Sequence, residues 1–147
     1  MNRFLVLISL LILSACSRSD RDDGCRFLLD LGVNADINLS LPQYNQLNFI
    51  NNPMYIPANI AGGNAGIIVN KVNSTSYRAF DAADPNHAPS GCSTLSINGI
   101  IGTCGCADAN EYGLLDGQPL GSNGLRCGLK EYRVEINTVN NSLSIYN

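Results

Sequence analysis

The chain has no tryptophan and one histidine, and only 14% of its 147 residues are charged. His87 alone cannot supply two imidazoles to any site. A Cys–His nucleophile pair stays formally open, but no further residue identifies a group to orient it. The net charge of -3 argues against nucleic acid as a partner. No glycine motif lies between a strand and a helix to cradle a phosphate; the glycines are spread through turns. Asp81, Asp84, Asp108, Glu111 and Asp116 fall in turn-forming sequence, where aspartate ordinarily serves local hydrogen bonding. Catalysis therefore finds little support in the sequence. Helical periodicity, internal repeats, coiled-coil heptads and low-complexity segments are also missing.

Long apolar runs are scarce too. The longest, Phe4 to Leu13, is too short for a spanning helix, which takes about 20 residues. It follows the basic Asn2-Arg3 and precedes Leu13-Ser14-Ala15-Cys16, the order of a secretory signal. Leu-Ser-Ala-Cys resembles a bacterial lipobox, in which the cysteine is acylated and becomes the new N-terminus. Residues 1–16 are thus expected to be a lipoprotein signal peptide with Cys16 as the lipid attachment site. Acyl chains on that residue would hold the protein at a membrane without a transmembrane helix. Residues 17–24, short, polar and charged, read as a flexible tether. Ser17 after the lipid-bearing cysteine fits the outer membrane of diderm bacteria, and Asp20, Asp22 and Asp23 resemble acidic surface-export signals.

Residues 25–147 suffice for one domain with one core. Short stretches rich in Val, Ile, Leu and Tyr, parted by Asn, Gly, Pro and Ser, predict an all-β fold. Val33 to Leu39 alternates apolar and polar side chains, the period of a half-buried strand. Leu41 to Asn45 breaks it, and Met54-Tyr55-Ile56-Pro57 reads as a short edge segment. Ile67–Val72 and Tyr77–Ala82 form one expected hairpin. Ser93–Ile97 and Ile100–Thr103 around Asn98-Gly99 form a second. Tyr132–Ile136 and Leu143–Tyr146 form a third. Serial hairpins of short strands predict a small antiparallel sandwich or partly open barrel.

Thr103-Cys104-Gly105-Cys106-Ala107, followed by Glu111-Tyr112, Asp116-Gly117-Gln118-Pro119-Leu120 and Leu129-Lys130-Glu131-Tyr132-Arg133-Val134, resembles the second half of a Rieske-type [2Fe-2S] domain. The resemblance spans about residues 65 to 147 and extends to Rieske-like lipoproteins of Bacteroidota. It implies a Rieske-like β fold with a cluster box on loops between strands. A Rieske cluster is held by two cysteines and two histidines. Cys104 matches a ligand cysteine, but Ala107 stands where the second-box histidine would be. The first box, Cys-x-His, aligns either with Asp84-Pro85-Asn86 or with Cys92-Ser93-Thr94. Either alignment loses ligands.

Cysteines 25, 92, 104, 106 and 127 remain beside Cys16. Outside the cytoplasm such residues are more often disulfide partners than free thiols, and an odd number leaves at least one over. The resemblance implies a Cys92–Cys106 bridge between the two box loops and suggests Cys104–Cys127 as a second, with Cys25 unpaired. An alternative is a zinc site from His87, Cys92, Cys104 and Cys106. The expected function is a cell-envelope lipoprotein whose Rieske-like domain has lost its [2Fe-2S] cluster and serves as a binding or structural module. It would carry no cofactor and meet the membrane through its lipid anchor. Alternatives are electron transfer through an atypically ligated cluster and a thiol-redox role for Cys104-Gly105-Cys106.

Overall fold

The computed structural model describes residues 25–121 and 124–147. The signal segment with Cys16 and the tether 17–24 lie outside the described residues. Along the chain run β1 (Asn34–Asn38), a 3-10 helix (Pro42–Asn48), β2 (Met54–Ile56), one helical turn α1 (Ala58–Ala61), β3 (Ile67–Lys71) and β4 (Tyr77–Asp81). Then follow β5 (Leu95–Asn98), β6 (Ile101–Cys104), β7 (Glu111–Gly113), β8 (Glu131–Asn137) and β9 (Ser142–Tyr146). The protein is all-β. Six strands in the order β1-β9-β8-β4-β3-β2 make a curled antiparallel half-barrel, and β5-β6-β7 make a smaller antiparallel sheet.

Alternation of side chains builds the strands. In β1, Ala35 and Ile37 point inward while Asn34, Asp36 and Asn38 face water. Its neighbour β9 buries Leu143 and Ile145 in matching register, with Ile37 opposite Leu143 and Ala35 opposite Ile145. The β3–β4 and β8–β9 hairpins form where the sequence predicts them. In the β5–β6 hairpin Asn98 pairs with Ile101, so the turn is centred on Gly99-Ile100. Gly99 takes the left-handed conformation there, with φ 58°. Proline at the start of the 3-10 helix, where no backbone donor is needed, marks the break after β1.

β3 is buried on both faces, and so is the inner end of β4. Ile67, Val69 and Ala79 join the half-barrel core with Ile37, Leu47 and Leu143. Ile68 and Phe80 face a second core with Leu95, Cys104, Tyr112 and Leu114. These two strands are therefore the wall between two cores, with the small sheet packed on the back of the half-barrel. An isolated bridge between Val33 and Gly62 brings the β1 side of the half-barrel to the β2 side. Gly62 sits at φ 84°, and a Cβ there would lie 2.4 Å from the Gly32 carbonyl oxygen, so only glycine fits this closure.

This layering sets one rim of the molecule. β4 ends at Asp81, and the chain loops through residues 82–94 before entering β5. The loop is pinched at its base by the Ala83–Thr94 bridge and by Leu95 N–H donating to Ala82 C=O at 2.7 Å. The β6–β7 turn reaches the same rim, closed by Cys104 N–H donating to Asn110 C=O at 2.8 Å.

Candidate functional site

The two rim loops are joined by sulfur. Cys92 and Cys106 form a disulfide, the pair that the box resemblance implies. The second bridge differs from expectation: Cys127 is bonded to Cys25, and Cys104 is the free cysteine. Strand alternation explains the choice. Gly102 and Cys104 occupy the buried positions of β6, so the Cys104 side chain enters the second core. Cys106, two residues further along, has left the strand for the rim. Cys127 is instead within reach of the N-terminal segment, which crosses the loops and is pinned by Leu29 N–H donating to Asn64 Oδ1 and Lys130 Nζ donating to Leu29 C=O. The Cys104–Cys106 pair considered for thiol redox chemistry is not formed.

Beneath the disulfide, Asp84 is fully buried at the head of a polar network. Its Oδ1 accepts from Tyr112 O–H at 2.5 Å and from Asn86 N–H at 2.8 Å, and its Oδ2 accepts from Asn110 Nδ2 at 2.9 Å. The Asn86 amide is committed at both ends. Its Nδ2 donates to Tyr112 Oη and to Cys127 C=O, while its Oδ1 accepts from the backbone N–H of Arg126 and of Cys127. Asn86 thereby ties the first loop to the segment carrying Cys127. Both alignments of the first box fall beside Cys104, and donor atoms of Asp84, Cys104 and Asp108 lie within 4.8 Å of one another. Cys92-Ser93-Thr94 returns beside Asp84: Asp84 N–H donates to Ser93 C=O at 2.9 Å, and the carbonyl of Cys92, itself held by Cys106, lies 3.9 Å from Cys104 Sγ.

The electrostatics follow from burial. Removal from water, with the Asp84 carboxyl adding to it, pushes the Cys104 thiol up to about 12. Burial and then the bond to Asp84 likewise raise Tyr112 above the ordinary phenol range. A second buried pair repeats the design at the base of the loop: Tyr132 O–H donates to Asp81 Oδ2 at 2.6 Å, and Tyr132 is raised for the same two reasons. Asp81 also accepts from Asn64 and Ala83 N–H, which fixes the start of the loop. Sequence reasoning placed both aspartates in turns with local bonds, and Asp81–Ala83 and Asp84–Asn86 are such bonds. It missed the tyrosine partners, which come from strands 28 and 51 residues away.

His87 is half-buried at the outer edge. Its Nδ1 lies 2.7 Å from Ala88 C=O and 3.8 Å from Cys106 Sγ, and its Nε2 lies 4.0 Å from Asp108 Oδ2. The zinc set His87, Cys92, Cys104 and Cys106 is thus divided, because Cys104 belongs to the buried group and two of the other thiols are oxidised. Glu111 and Asp116 stand apart from this cluster: Asp116 Oδ1 accepts from Gln118 N–H in its own turn. A cleft of about 300 Å³ lies at the other end of β3 and β4, between Lys71, Tyr77, Asn48 and Asn141. No protein-family model matches the chain, and no curated protein matches it.

Proposed function

We propose that this is a lipid-anchored cell-envelope protein whose Rieske-like domain has given up its [2Fe-2S] cluster and works as a binding or structural module. The observation that carries the reading is the Asn86 amide. In the Asp84-Pro85-Asn86 alignment it stands at the position of a cluster histidine, as an amide whose donors and acceptor are engaged inside the protein. Asp84, at the position of the partner cysteine, is equally engaged, and Ala107 has no donor at all. Cys104 keeps its family chemistry, and in the second alignment so does Cys92, but neither alignment keeps a histidine. The donor set does not fit a Rieske cluster. What occupies the cradle instead is a hydrogen-bonded network, which holds the three rim segments together as a cluster and its ligands would.

The Cys92–Cys106 bond and the hydrogen bonds that tie the rim loops together support a module whose rim is a rigid surface. Its placement at the envelope rests on the signal, the lipobox Cys16 and the tether. A membrane fraction tests that part: Cys16→Ala is expected to release the protein into the soluble fraction, and continued membrane retention would count against the anchor. The visible spectrum of protein produced with ample iron tests the other. A colourless protein is expected, whereas the absorption of an iron–sulfur centre would restore the electron-transfer alternative.

A further inference from the structure

Above the buried network, four groups of ligand chemistry converge at the rim: the sulfurs of Cys92 and Cys106, the His87 imidazole and the Asp108 carboxyl. One donor atom each from His87, Cys106 and Asp108 lie within 4.8 Å of one another, and Cys92 Sγ is bonded to Cys106 Sγ. Ligand atoms around one tetrahedral zinc, with bonds of about 2.0–2.3 Å, lie about 3.3–3.8 Å apart, so those three donor atoms need close by no more than about 1.5 Å. The imidazole is oriented as zinc histidines are. Nδ1 faces the Ala88 carbonyl at 2.7 Å and lies 3.8 Å from Cys106 Sγ; with Nδ1 donating to that carbonyl, Nε2, 4.0 Å from Asp108 Oδ2, is the nitrogen left for a metal. Asp108 is oriented in turn by Asn110 Nδ2, which donates to its Oδ2 at 3.1 Å and also holds Asp84. Cys92 is exposed, so a reductant can reach the bond.

We propose that this rim is a redox-gated zinc site whose ligands are His87, Cys92, Cys106 and Asp108. Oxidised, the disulfide withholds two of the four ligands. A dithiol reductant passes two electrons and two protons to the Cys92–Cys106 bond, which cleaves to two thiols while the reductant closes its own disulfide. Zn²⁺ then displaces both thiol protons to solvent and binds the two sulfurs as thiolates, beside the imidazole and the carboxylate. The 4.9 Å between the Cα atoms keeps the sulfurs neighbours after cleavage. Cys104 takes no part, being 3% exposed and turned into the second core. The site shares Asp108 with the buried Asp84–Cys104 cradle but not its thiol, and it stands or falls independently of Rieske-like descent.

The test is zinc titration of the purified lipoprotein before and after reduction by a trialkylphosphine, a reductant that leaves no thiol to compete for metal. One zinc per chain is expected in the reduced protein, bound about tenfold or more tightly than by the oxidised one. His87→Ala and Asp108→Ala should each weaken it by about tenfold or more. Cys104→Ser should leave it unchanged, as should replacing Cys25 and Cys127 together by serine. Equal binding in both redox states, loss of the site in Cys104→Ser, or indifference to His87→Ala would overturn the proposal. So would a reduced protein that keeps its β-sheet circular dichroism and binds no zinc, or one that unfolds and is not refolded by zinc.

Discussion

Tyr112 shows how much one side chain can settle. It is wholly buried, donates to Asp84 and accepts from Asn86, and so links the loop before β5 to β7. Tyr112→Phe keeps the ring's packing but leaves the Asp84 oxygen short of a donor in a site closed to water. A cost of about 1–3 kcal/mol is expected, read from denaturant unfolding. Glu131→Gln should cost far less, about 1 kcal/mol or below, because its pair with Arg78 is exposed to solvent and screening. Alkaline pH probes the same buried groups. A cysteine in the unfolded chain ionises near its ordinary 9.0, whereas folded Cys104 holds its proton up to about 12. The folded state binds that proton more tightly. Its contribution to stability is complete below about pH 9 and is lost as pH climbs towards 12. Tyr112 and Tyr132 are shifted in the same direction and steepen the loss. Thermal melts across this range should show the melting temperature falling as pH rises, and a flat profile would contradict the burial of these groups.

At the scale of elements, strands that alternate, such as β1 and β9, were legible because water on one side and core on the other impose period two. The hairpin turns were legible because Asn, Gly and Ser mark them, although the β5–β6 register places Gly99-Ile100, not Asn98-Gly99, at the centre. Which cysteine is left free was not legible, for two reasons. Cys104 and Cys106 differ by one strand period, and sequence does not say where β6 stops. Nor does it show that the segment before β1 crosses over to Cys127. Sequence distance separates the two bridges energetically. In the chain-entropy view, the Cys25–Cys127 link spans 102 residues and restricts the unfolded chain by about 4–5 kcal/mol, while Cys92–Cys106 spans 14 and contributes about 3 kcal/mol. Replacing the first pair by serines should therefore destabilise more than replacing the second, as measured by unfolding midpoints. The reverse order would mean that the rim bridge organises the native loops beyond its entropic share.

For the whole molecule, two cores share one wall, and the rim loops grow from the edge where the small sheet meets that wall. The half-barrel buries Ile67 and Val69 while Ile68 and Phe80 serve the second core, so rim and barrel are rigidly coupled through β3 and β4. The all-β class was readable from sequence, but the expected single core is two, and the contents of the cradle were not readable, because Asp84, Asn86, Asn110 and Tyr112 meet only after folding. The rim residues that resemble a cluster box are filled by that network, and this is the account's central claim. It is tested most directly by metal and thiol analysis of residues 17–147 produced with ample iron. The account predicts no stoichiometric iron, no thiol reactive in the native state, and one thiol per chain, Cys104, released on denaturation. Two irons per chain, with Cys104 protected as a ligand and iron lost on denaturation, would contradict it.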